Sequence, residues 1–358
     1  MVIPKTEGIK YAGSKLKLLP YIFEMVTPLK NIQTVLDGFS GTTRVSQAFA
    51  QQGYSTTSND ISVWSEVIAT CYLISNKPEA YYQQLIDYLN ELPGVDGWFT
   101  EKYGGAESDI KKPFQLKNAR KLDAIRDEID RLELGWEDKC VMLTSLIYAM
   151  DRVDSTLGHY AAYLSAWSPR SFNELKMKLP LRISTNGNNR VIRDDIFNTV
   201  AKNQFDLAYF DPPYGSNNEK MPPSRVRYAS YYHLWTTIIR HDKPKLFGKA
   251  NRREDTRDDI SGSVFEEYRK SENGDFLAMK ALRRLIEETN ARYLLLSYSS
   301  GGRATKQQLL DIISGSGKLL DVKLIDYKKN VMSSMRTTKE WINSEENHHE
   351  YLFLMEKE

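Results

Sequence analysis

The sequence predicts an α/β fold in which helices cover a mostly parallel, doubly wound sheet. Two observations lead to this prediction. Short apolar runs that end on an acidic residue alternate with segments of helical period, near the start of the chain and again in its second half. In addition, a glycine-containing turn joins the first apolar run to the helix that follows it. Strand, turn and helix alternating in this way are typical of parallel sheets with helices on their faces.

The first elements follow in regular order. Residues 15–26 carry leucine, isoleucine, phenylalanine and valine at helical spacing, which predicts a helix. The elements predicted after it are a strand at 34–36, a helix at 43–52, a strand at 54–58 and a helix at 61–75. The second helix is expected to stop at Gly53, because glycine commonly ends helices.

The alternation then stops for roughly a hundred residues, and insertions of that length tend to be functional or separate subdomains. Residues 77–180 look mainly helical, with breaks at Pro93-Gly94, Gly104-Gly105 and Gly158. We therefore predict an α/β domain made of residues 1–76 and 185–358, and a mainly helical insert at 77–184.

The second half of the chain returns to strand and helix patterns. A polar stretch at 215–275 is predicted as a loop insert. The predicted elements are strands at 190–192 and 205–210, a helix at 276–289, a strand at 292–298, a helix at 305–314 and a strand at 319–327. The last apolar run, 351–355, is predicted to be an antiparallel edge strand of the sheet.

Composition excludes several classes of protein. Apolar residues make up 41% of the chain, an ordinary share for a globular protein, and no run approaches the length of a membrane span. The N-terminal residues lack the apolar segment of a secretory signal, so a cytoplasmic location is expected. The two cysteines, Cys71 and Cys140, form no CxxC pair and are expected to be reduced thiols in helices.

The tetrapeptide Asp211, Pro212, Pro213 and Tyr214 is the most informative motif in the chain. It follows a predicted strand, where ligands bind in open α/β sheets. The two proline rings stiffen the turn and would fix the Asp211 carboxylate and the Pro212 carbonyl as two acceptors. Two fixed acceptors suit an exocyclic amino group such as N6 of adenine, whose lone pair must be freed before it attacks a methyl donor. A rigid turn after a core strand is the structural alternative.

Four further segments have the residue types of a cofactor site. A glycine turn after the first strand lets a ligand approach the backbone closely. An acid about twenty residues further on can accept hydrogen bonds from ribose hydroxyls. The candidate cofactor residues are Lys10, Tyr11, Ala12, Gly13, Ser14, Lys15, Asp37, Gly38, Phe39, Ser40, Gly41, Thr42, Thr43, Asn59, Asp60, Ile61, Asp194 and Asp195. Each segment taken alone could be an ordinary turn or helix cap.

Taken together and in this order, the motifs resemble those of the Dam-like, alpha-group adenine-N6 DNA methyltransferases, and the chain looks closest to the FokI-type branch. The segment KYAGSK resembles the N-terminal cofactor motif KWAGGK, LDGFSGTTRV the glycine motif, SND the ribose-binding acid, and FDLAYFDPPY the catalytic motif. VDSTLGHY and YYHLW look like FokI-type signatures, and LLLSYSS and EYLFLMEK like late core strands.

The resemblance implies a Rossmann-like methyltransferase sheet, with S-adenosyl-L-methionine as the methyl donor and no metal ion. It implies that Asp211 and the Pro212 carbonyl bind the target amine and that Tyr214 stacks on the base. It also implies that the target adenine is flipped out of duplex DNA. The helical insert would then be the target-recognition region, and the loop at 215–275 would lie near DNA.

Two positions depart from the motifs of this family. Thr43 stands where many relatives have a second glycine, and Ser14 replaces a glycine of the N-terminal motif. Neither change removes a proposed chemical group. A substitution at position 43 could nevertheless alter how the turn meets the methionine part of the cofactor.

Other functions fit the sequence less well. Cytosine-C5 methylation needs a cysteine nucleophile, typically after a proline, and neither cysteine follows one. Cytosine-N4 methylation usually carries Ser-Pro-Pro-Tyr, and RNA or protein methyltransferases often carry Asn-Pro-Pro-Tyr. A non-catalytic DNA-binding protein should fail to bind S-adenosyl-L-methionine. A fused nuclease is disfavoured because neither ExK string has an upstream Pro-Asp.

The contacts with DNA are the least determined by the sequence. The net charge is only +2, so any basic surface must be local. The candidate DNA-binding residues are Arg152, His159, Tyr160, Arg170, Arg225 and Arg227. For each arginine alone, a solvated charged face is the simpler interpretation. The expected partner is double-stranded DNA. A cognate restriction endonuclease is expected if the protein belongs to a restriction-modification system, whereas housekeeping and phage-borne roles are the open alternatives. A monomer is expected if the target sequence is asymmetric.

Overall fold

The computed structural model describes residues 2–106, 108, 112–216, 228–326 and 349–357. The strands are β1 (Thr34–Asp37), β2 (Ser55–Asn59), β3 (Gly104–Gly105), β4 (Phe114–Gln115), β5 (Arg190–Ile192), β6 (Phe205–Phe210), β7 (Leu246–Phe247), β8 (Arg252–Arg253), β9 (Ala291–Ser299), β10 (Gly317–Asp326) and β11 (His349–Lys357).

The helices cover both faces of the sheet and form most of the insert. They are α1 (Leu19–Val26), α2 (Arg44–Gln51), α3 (Val63–Leu73), α4 (Glu79–Glu91), α5 (Trp98–Tyr103), α6 (Leu116–Arg131), α7 (Trp136–Asp151), α8 (Ile196–Lys202), α9 (Tyr228–Tyr231), α10 (His233–Arg240), α11 (Asp258–Ser261), α12 (Ala278–Glu288) and α13 (Lys306–Ser314). In these ranges of the chain, no helix is both long and apolar enough to cross a bilayer.

The central sheet has seven strands in the order β10-β11-β9-β6-β1-β2-β5. The pairs β6–β9, β1–β6, β1–β2 and β2–β5 are parallel, which confirms the predicted α/β fold class. Strand β11 is antiparallel to both of its neighbours, as the C-terminal run was predicted to be. It is inserted between β9 and β10, however, so β10 forms the outer edge.

Alternation along the strands builds a core on each face of the sheet. On one face, Val35, Leu207 and Leu295 pack with α1 and α2. On the other face, Ala208 and Leu294 pack with α8, α12 and α13. Because successive side chains of a strand point to opposite faces, one short strand such as β6 supplies both cores.

The helical insert shares its core with elements outside it. Its helices α4 to α7 pack with α3 and with α10 in one apolar cluster. The free thiols Cys71 and Cys140 are buried in α3 and α7, as expected from the sequence. The insert is less helical than predicted, because a short 3-10 helix at Pro169–Phe172 is the only helix between Asp151 and β5.

Two other predictions differ from the structure. Helix α1 begins at Leu19 instead of Lys15, because Pro20 lies in its first turn, where proline favours helix initiation. The predicted loop at 215–275 contains the buried helix α10. Its residues Leu234, Trp235 and Ile238 are apolar at helical spacing, but the helix is only eight residues long and is easily overlooked.

Arg126 ties the insert to α10. Its side chain on α6 is 1% exposed, and its Nε and Nη2 donate to the carbonyls of Ile238 and Ile239 at 2.5 and 3.2 Å. These carbonyls belong to the last turn of α10, which lacks intrahelical partners for them. Asp130 lies 2.8 Å from Nη1 and balances the buried charge.

We predict that Arg126→Ala lowers the free energy of unfolding by about 2–4 kcal/mol, because it leaves two buried carbonyls without their donor and removes one of the cationic partners of Asp130. Urea denaturation followed by circular dichroism measures the change. Arg131→Ala is the matched control on the same helix. Arg131 is exposed and pairs with Glu128, so its loss should cost less than about 1 kcal/mol. Equal stability of the two variants would contradict the role given to Arg126.

Candidate active site

A cavity of about 280 Å³ lies where the parallel strands end. Asp37 ends β1, Asp60 follows β2 and Asp211 follows β6, and all three line the cavity. Strands β6, β1 and β2 are neighbours in the sheet. Three acids that are far apart in the sequence therefore lie at one site, at the edge where ligands bind in open α/β sheets.

Most of the predicted cofactor residues line this cavity. They are Tyr11, Gly13, Ser14, Lys15, Asp37, Gly38, Phe39, Ser40, Gly41, Thr42, Asn59, Asp60, Ile61, Asp194 and Asp195. Asp211 and Pro213 of the tetrapeptide line it as well. The predicted residues that are absent from its wall are Lys10, Ala12, Thr43, Pro212 and Tyr214.

Asp60 holds the glycine turn in place. Its Oδ2 accepts a hydrogen bond from the Gly41 amide at 3.0 Å, and its Oδ1 accepts one from the Ser62 amide at 2.8 Å. Gly41 has φ of 50°, and a Cβ there would lie 3.1 Å from the Tyr11 hydroxyl. A side chain at Gly41 would thus be strained and would crowd Tyr11, which explains the glycine.

Thr43 adopts the backbone conformation that a glycine would favour. Its φ is 64°, which is rare for a β-branched residue. The buried residue is held by its amide, which donates to the Ser40 carbonyl at 2.6 Å, and by Gln47, whose side chain donates to the threonine hydroxyl at 3.1 Å. The departure from the family motif therefore changes the side chain but keeps the turn.

Asp37 is a buried carboxylate in the wall of the cavity. It is 1% exposed, and its Oδ2 accepts a hydrogen bond from the Ser46 hydroxyl at 2.6 Å. Burial raises the pKa of Asp37 to about 7, against the hydrogen bonds from the side chain and backbone of Ser46. Since Asp37 lines the cavity, its carboxylate is suited to accept from a donor on a bound ligand.

Asp211 belongs to a buried cluster of charged and hydroxyl groups. Lys15 Nζ lies 3.0 Å from Asp211 Oδ1 and 2.8 Å from Glu350 Oε1, and these three side chains are 9%, 15% and 8% exposed. The Tyr214 hydroxyl also donates to Asp211 Oδ1, and Lys15 donates to that hydroxyl at 2.7 Å. Both donors use Oδ1, so Oδ2 of Asp211 has no partner among the described residues.

Interactions within this cluster shift the pKa values of Asp211 and Lys15. Burial raises the pKa of Asp211 to about 6; Lys15 opposes this rise and Glu350 adds to it. Burial opposes the charge of Lys15, but Asp211 and Glu350 outweigh it and hold the pKa of Lys15 well above its usual value. At neutral pH, Asp211 is therefore mostly an anion beside a cation, with one oxygen free to accept.

Tyr214 is turned into this cluster. Its hydroxyl lies 2.5 Å from Glu350 Oε1, and its ring centroid is 4.7 Å from that of Tyr298. The aromatic residues that line the cavity are instead Tyr11, Phe39, Trp64, Tyr209, Tyr228 and Phe265. Stacking of Tyr214 on a base remains a prediction from the sequence.

The N-terminal motif is anchored on the segment YYHLW. The Tyr232 hydroxyl accepts a hydrogen bond from the Ala12 amide at 2.8 Å, and the rings of Tyr11 and Tyr232 stack with centroids 4.9 Å apart. Ala12 thus does not line the cavity itself, but its hydrogen bond to Tyr232 holds in place the segment that does. The contact gives a physical reason for the two segments to occur together.

Several residues of the site belong to no motif in the sequence. Glu350 and Ser297 enter the cluster from β11 and β9, with Ser297 donating to Glu350 Oε1 at 2.8 Å. Each is a polar residue in or beside an otherwise apolar strand. That contrast is the one feature of the sequence that could have identified them as site residues. Tyr228 and residues 261–266 line the cavity from the interval predicted as a polar loop, and no motif marked them.

The candidate DNA contacts differ in exposure. Arg152 is exposed, whereas Arg170 forms an ion pair with Asp154 and donates to its carbonyl at 2.8 Å. His159 stacks on Tyr231 at 4.1 Å between ring centroids. Tyr160 is 2% exposed inside the helical core, and this burial argues against a DNA contact. Arg225 and Arg227 lie outside the described residues.

Comparisons with known proteins agree on one family. The profile of the D12 class N6 adenine-specific DNA methyltransferases matches residues 11–298. The chain is 28% identical to the modification methylase StsI of Streptococcus sanguinis, over 93% of this chain and 50% of that protein. It is 27% identical to the type II methyltransferase M.FokI of Planomicrobium okeanokoites, over 98% of this chain and 53% of that protein.

A shorter relative matches along nearly its whole length. The type II methyltransferase M.NlaIII of Neisseria lactamica is 23% identical over 98% of this chain and 99% of that protein. The chain spans about half the length of StsI and M.FokI, which are larger proteins. Since the family profile matches most of the chain, including the strands that carry Asp37, Asp60 and Asp211, the chain belongs to the D12 class N6 adenine-specific DNA methyltransferase family.

Proposed function

We propose that this protein transfers a methyl group from S-adenosyl-L-methionine to N6 of adenine in duplex DNA, as the modification enzyme of a restriction-modification system. The observation that carries the proposal is that Oδ2 of Asp211, which has no partner in the described part of the chain, lies at a cavity that Asp37, Gly41 and Asp60 also line. The names of the relatives, which are modification methylases and type II methyltransferases, support the same reaction.

The residues present fit the cofactor. The Asp37 carboxylate lines the cavity and can accept from a donor group, and Asp60 stands where a carboxylate can accept from ribose hydroxyls. The Gly41 turn leaves backbone next to the cavity without a side chain in the way. Asp194 and Asp195 complete the polar wall on the side of β5. The acids also give the cavity a negative field that suits a cation.

When bound, S-adenosyl-L-methionine supplies an electrophilic methyl group on a sulfonium. Asp211 Oδ2 accepts one hydrogen of the target amino group, and the Pro212 carbonyl accepts the other. Holding both hydrogens favours a pyramidal nitrogen with its lone pair available, and prepositioned acceptors of this kind supply much of the rate. A strong base is not required, because the nitrogen loses its proton after the methyl group has been transferred.

The adenine must leave the base stack to reach Asp211, because N6 cannot approach a buried carboxylate from within a duplex. We assign target recognition to the helical insert and to residues near the loop after the tetrapeptide, with Arg152 as the exposed candidate among the described residues. A cognate restriction endonuclease and a monomeric state remain predictions.

Sequencing the genome of an expressing host with modified-base detection tests the reaction and its target together. We expect N6-methyladenine at one recurrent sequence. A host that expresses Asp211→Ala should show little or none, because loss of the acceptor lowers the rate by about 100- to 1,000-fold. Calorimetry should find S-adenosyl-L-methionine binding within about threefold of wild type. Normal methylation by Asp211→Ala would refute the role of this carboxylate, and N4-methylcytosine would identify a different target base.

The rate of transfer should fall in acid as Asp211 is protonated. Because its pKa is raised to about 6, the accepting anion is present above that pH and is lost as the pH falls through it. We expect kcat/KM at pH 5 to be about one tenth of its value above pH 7. Cofactor affinity is measured at each pH, because Asp37 also titrates in this range. The assignment of the acid limb to Asp211 would be contradicted if kcat/KM did not fall between pH 7 and pH 5. It would also be contradicted if kcat/KM of Asp211→Asn fell in acid as it does in wild type.

Asp60→Ala should weaken cofactor binding much more than it slows transfer. The variant removes the acceptor for the Gly41 and Ser62 amides and the proposed acceptor for ribose. We expect the KM for S-adenosyl-L-methionine to rise about 10- to 100-fold, with kcat at saturation within about threefold. Glu66→Ala is the control, since Glu66 pairs with Arg193 at the surface of α3. A fall in kcat without a rise in KM would place Asp60 elsewhere in the mechanism.

A further inference from the structure

We infer that Glu350 is a positioning residue for methyl transfer, which holds Lys15 and Tyr214 on one oxygen of Asp211 so that the other oxygen is left for the target amine. This inference rests on the proposed function. It concerns a residue of the C-terminal strand that no sequence motif marked as part of the site.

Glu350 is buried, and one of its carboxylate oxygens makes the contacts that tie it to the cluster. Its Oε1 accepts from Lys15 Nζ and from the Ser297 hydroxyl, each at 2.8 Å, and it lies 2.5 Å from the Tyr214 hydroxyl. Burying a carboxylate is costly unless it is paired and hydrogen-bonded. A glutamate at this place in a strand whose next five residues are apolar or aromatic therefore has a specific arrangement to maintain.

In the arrangement that Glu350 maintains, the two carboxylate oxygens of Asp211 have different surroundings. Lys15 and Tyr214 both engage Oδ1, and Oδ2 has no partner among the described residues. Lysine has a flexible stem with a rotatable ammonium, so Asp211 alone cannot fix which of its two oxygens is engaged. Glu350 supplies a second anion 2.8 Å from the ammonium, and the two carboxylates together restrict its position.

Tyr214 adds to this restriction. Its hydroxyl has one proton and lies within hydrogen-bonding distance of both Asp211 and Glu350. Without Glu350, Lys15 and the tyrosine hydroxyl would be free to move towards Oδ2, where they would compete with the amino group of the base. The expected consequence is a slower chemical step at unchanged cofactor affinity.

Glu350 also affects the charge of the cluster. Its negative charge raises the pKa of Asp211, so its removal should lower that pKa. The other titratable groups that act on Asp211 or respond to its charge are Tyr11, Lys15, Asp37, Tyr209, Tyr214 and Tyr228. They are the same in wild type and in a Glu350→Gln variant, so a shift of the acid limb between the two reports the charge at position 350.

The test compares Glu350→Ala and Glu350→Gln with Glu356→Gln. Glu356 lies on the same strand but pairs with Arg292 at the surface. We expect Glu350→Ala to lower kcat by about 30-fold or more, with S-adenosyl-L-methionine affinity within about threefold. Glu350→Gln keeps an acceptor oxygen, so it should retain more activity and show an acid limb at lower pH. Glu356→Gln should match wild type in all three measurements.

A second readout needs no methyl transfer. An amine-acylating reagent followed by mass spectrometry measures the accessibility of Lys15, which should become at least about tenfold more reactive in Glu350→Ala and stay protected in Glu356→Gln. If wild type transfers no methyl group, the proposed function fails, and the labelling still decides whether Glu350 fixes the ammonium. If Glu350→Ala misfolds, Glu350→Gln carries the test. The inference would be overturned if the Glu350 variants kept the wild-type kcat and the wild-type acid limb. It would also be overturned if Lys15 stayed as protected in Glu350→Ala as it is in wild type.

Discussion

The ion pair between Lys15 and Asp211 is the interaction on which the site depends. Burial alone would protonate Asp211, and a protonated carboxyl would accept hydrogen bonds poorly. The ammonium at 3.0 Å opposes that effect and leaves the pKa of Asp211 at about 6. It also occupies one oxygen and leaves the other available. The same contact thus acts on the charge of Asp211 and leaves one defined oxygen for the proposed target amine.

The order of the strands makes this contact possible. Because β6 lies between β1 and β9, Asp211 emerges beside Asp37 on one side and near Ser297 on the other. The reversed strand β11 then brings Glu350 next to Ser297, while the loop before α1 delivers Lys15. Lys15 and Glu350 are 335 positions apart in the sequence. The cluster therefore assembles only when the two ends of the described chain have both reached the sheet.

The sequence was most informative where a residue's position follows from a local rule. The acids Asp37, Asp60 and Asp211 could be placed because each follows a recognisable strand, and the ends of parallel strands meet at one edge. Glu350 and Ser297 could not, because their contact depends on the pairing of β11 with β9, which no local pattern specifies. Tyr228 was missed for a similar reason, since its segment looked like a polar loop although α10 directly after it is buried. Periodicity identifies a long amphipathic helix far better than an eight-residue one.

The N-terminal motif links the cofactor site to the part of the protein assigned to target recognition. Tyr11 stacks on Tyr232 at the start of α10, and α10 packs in one core with the helices of the insert. Four residues later, Lys15 is held between Asp211 and Glu350. A shift of the insert on binding DNA would therefore act on a short segment that is fixed at both ends. The ammonium beside Asp211 and the insert proposed for target recognition are therefore joined by a continuous series of packed contacts.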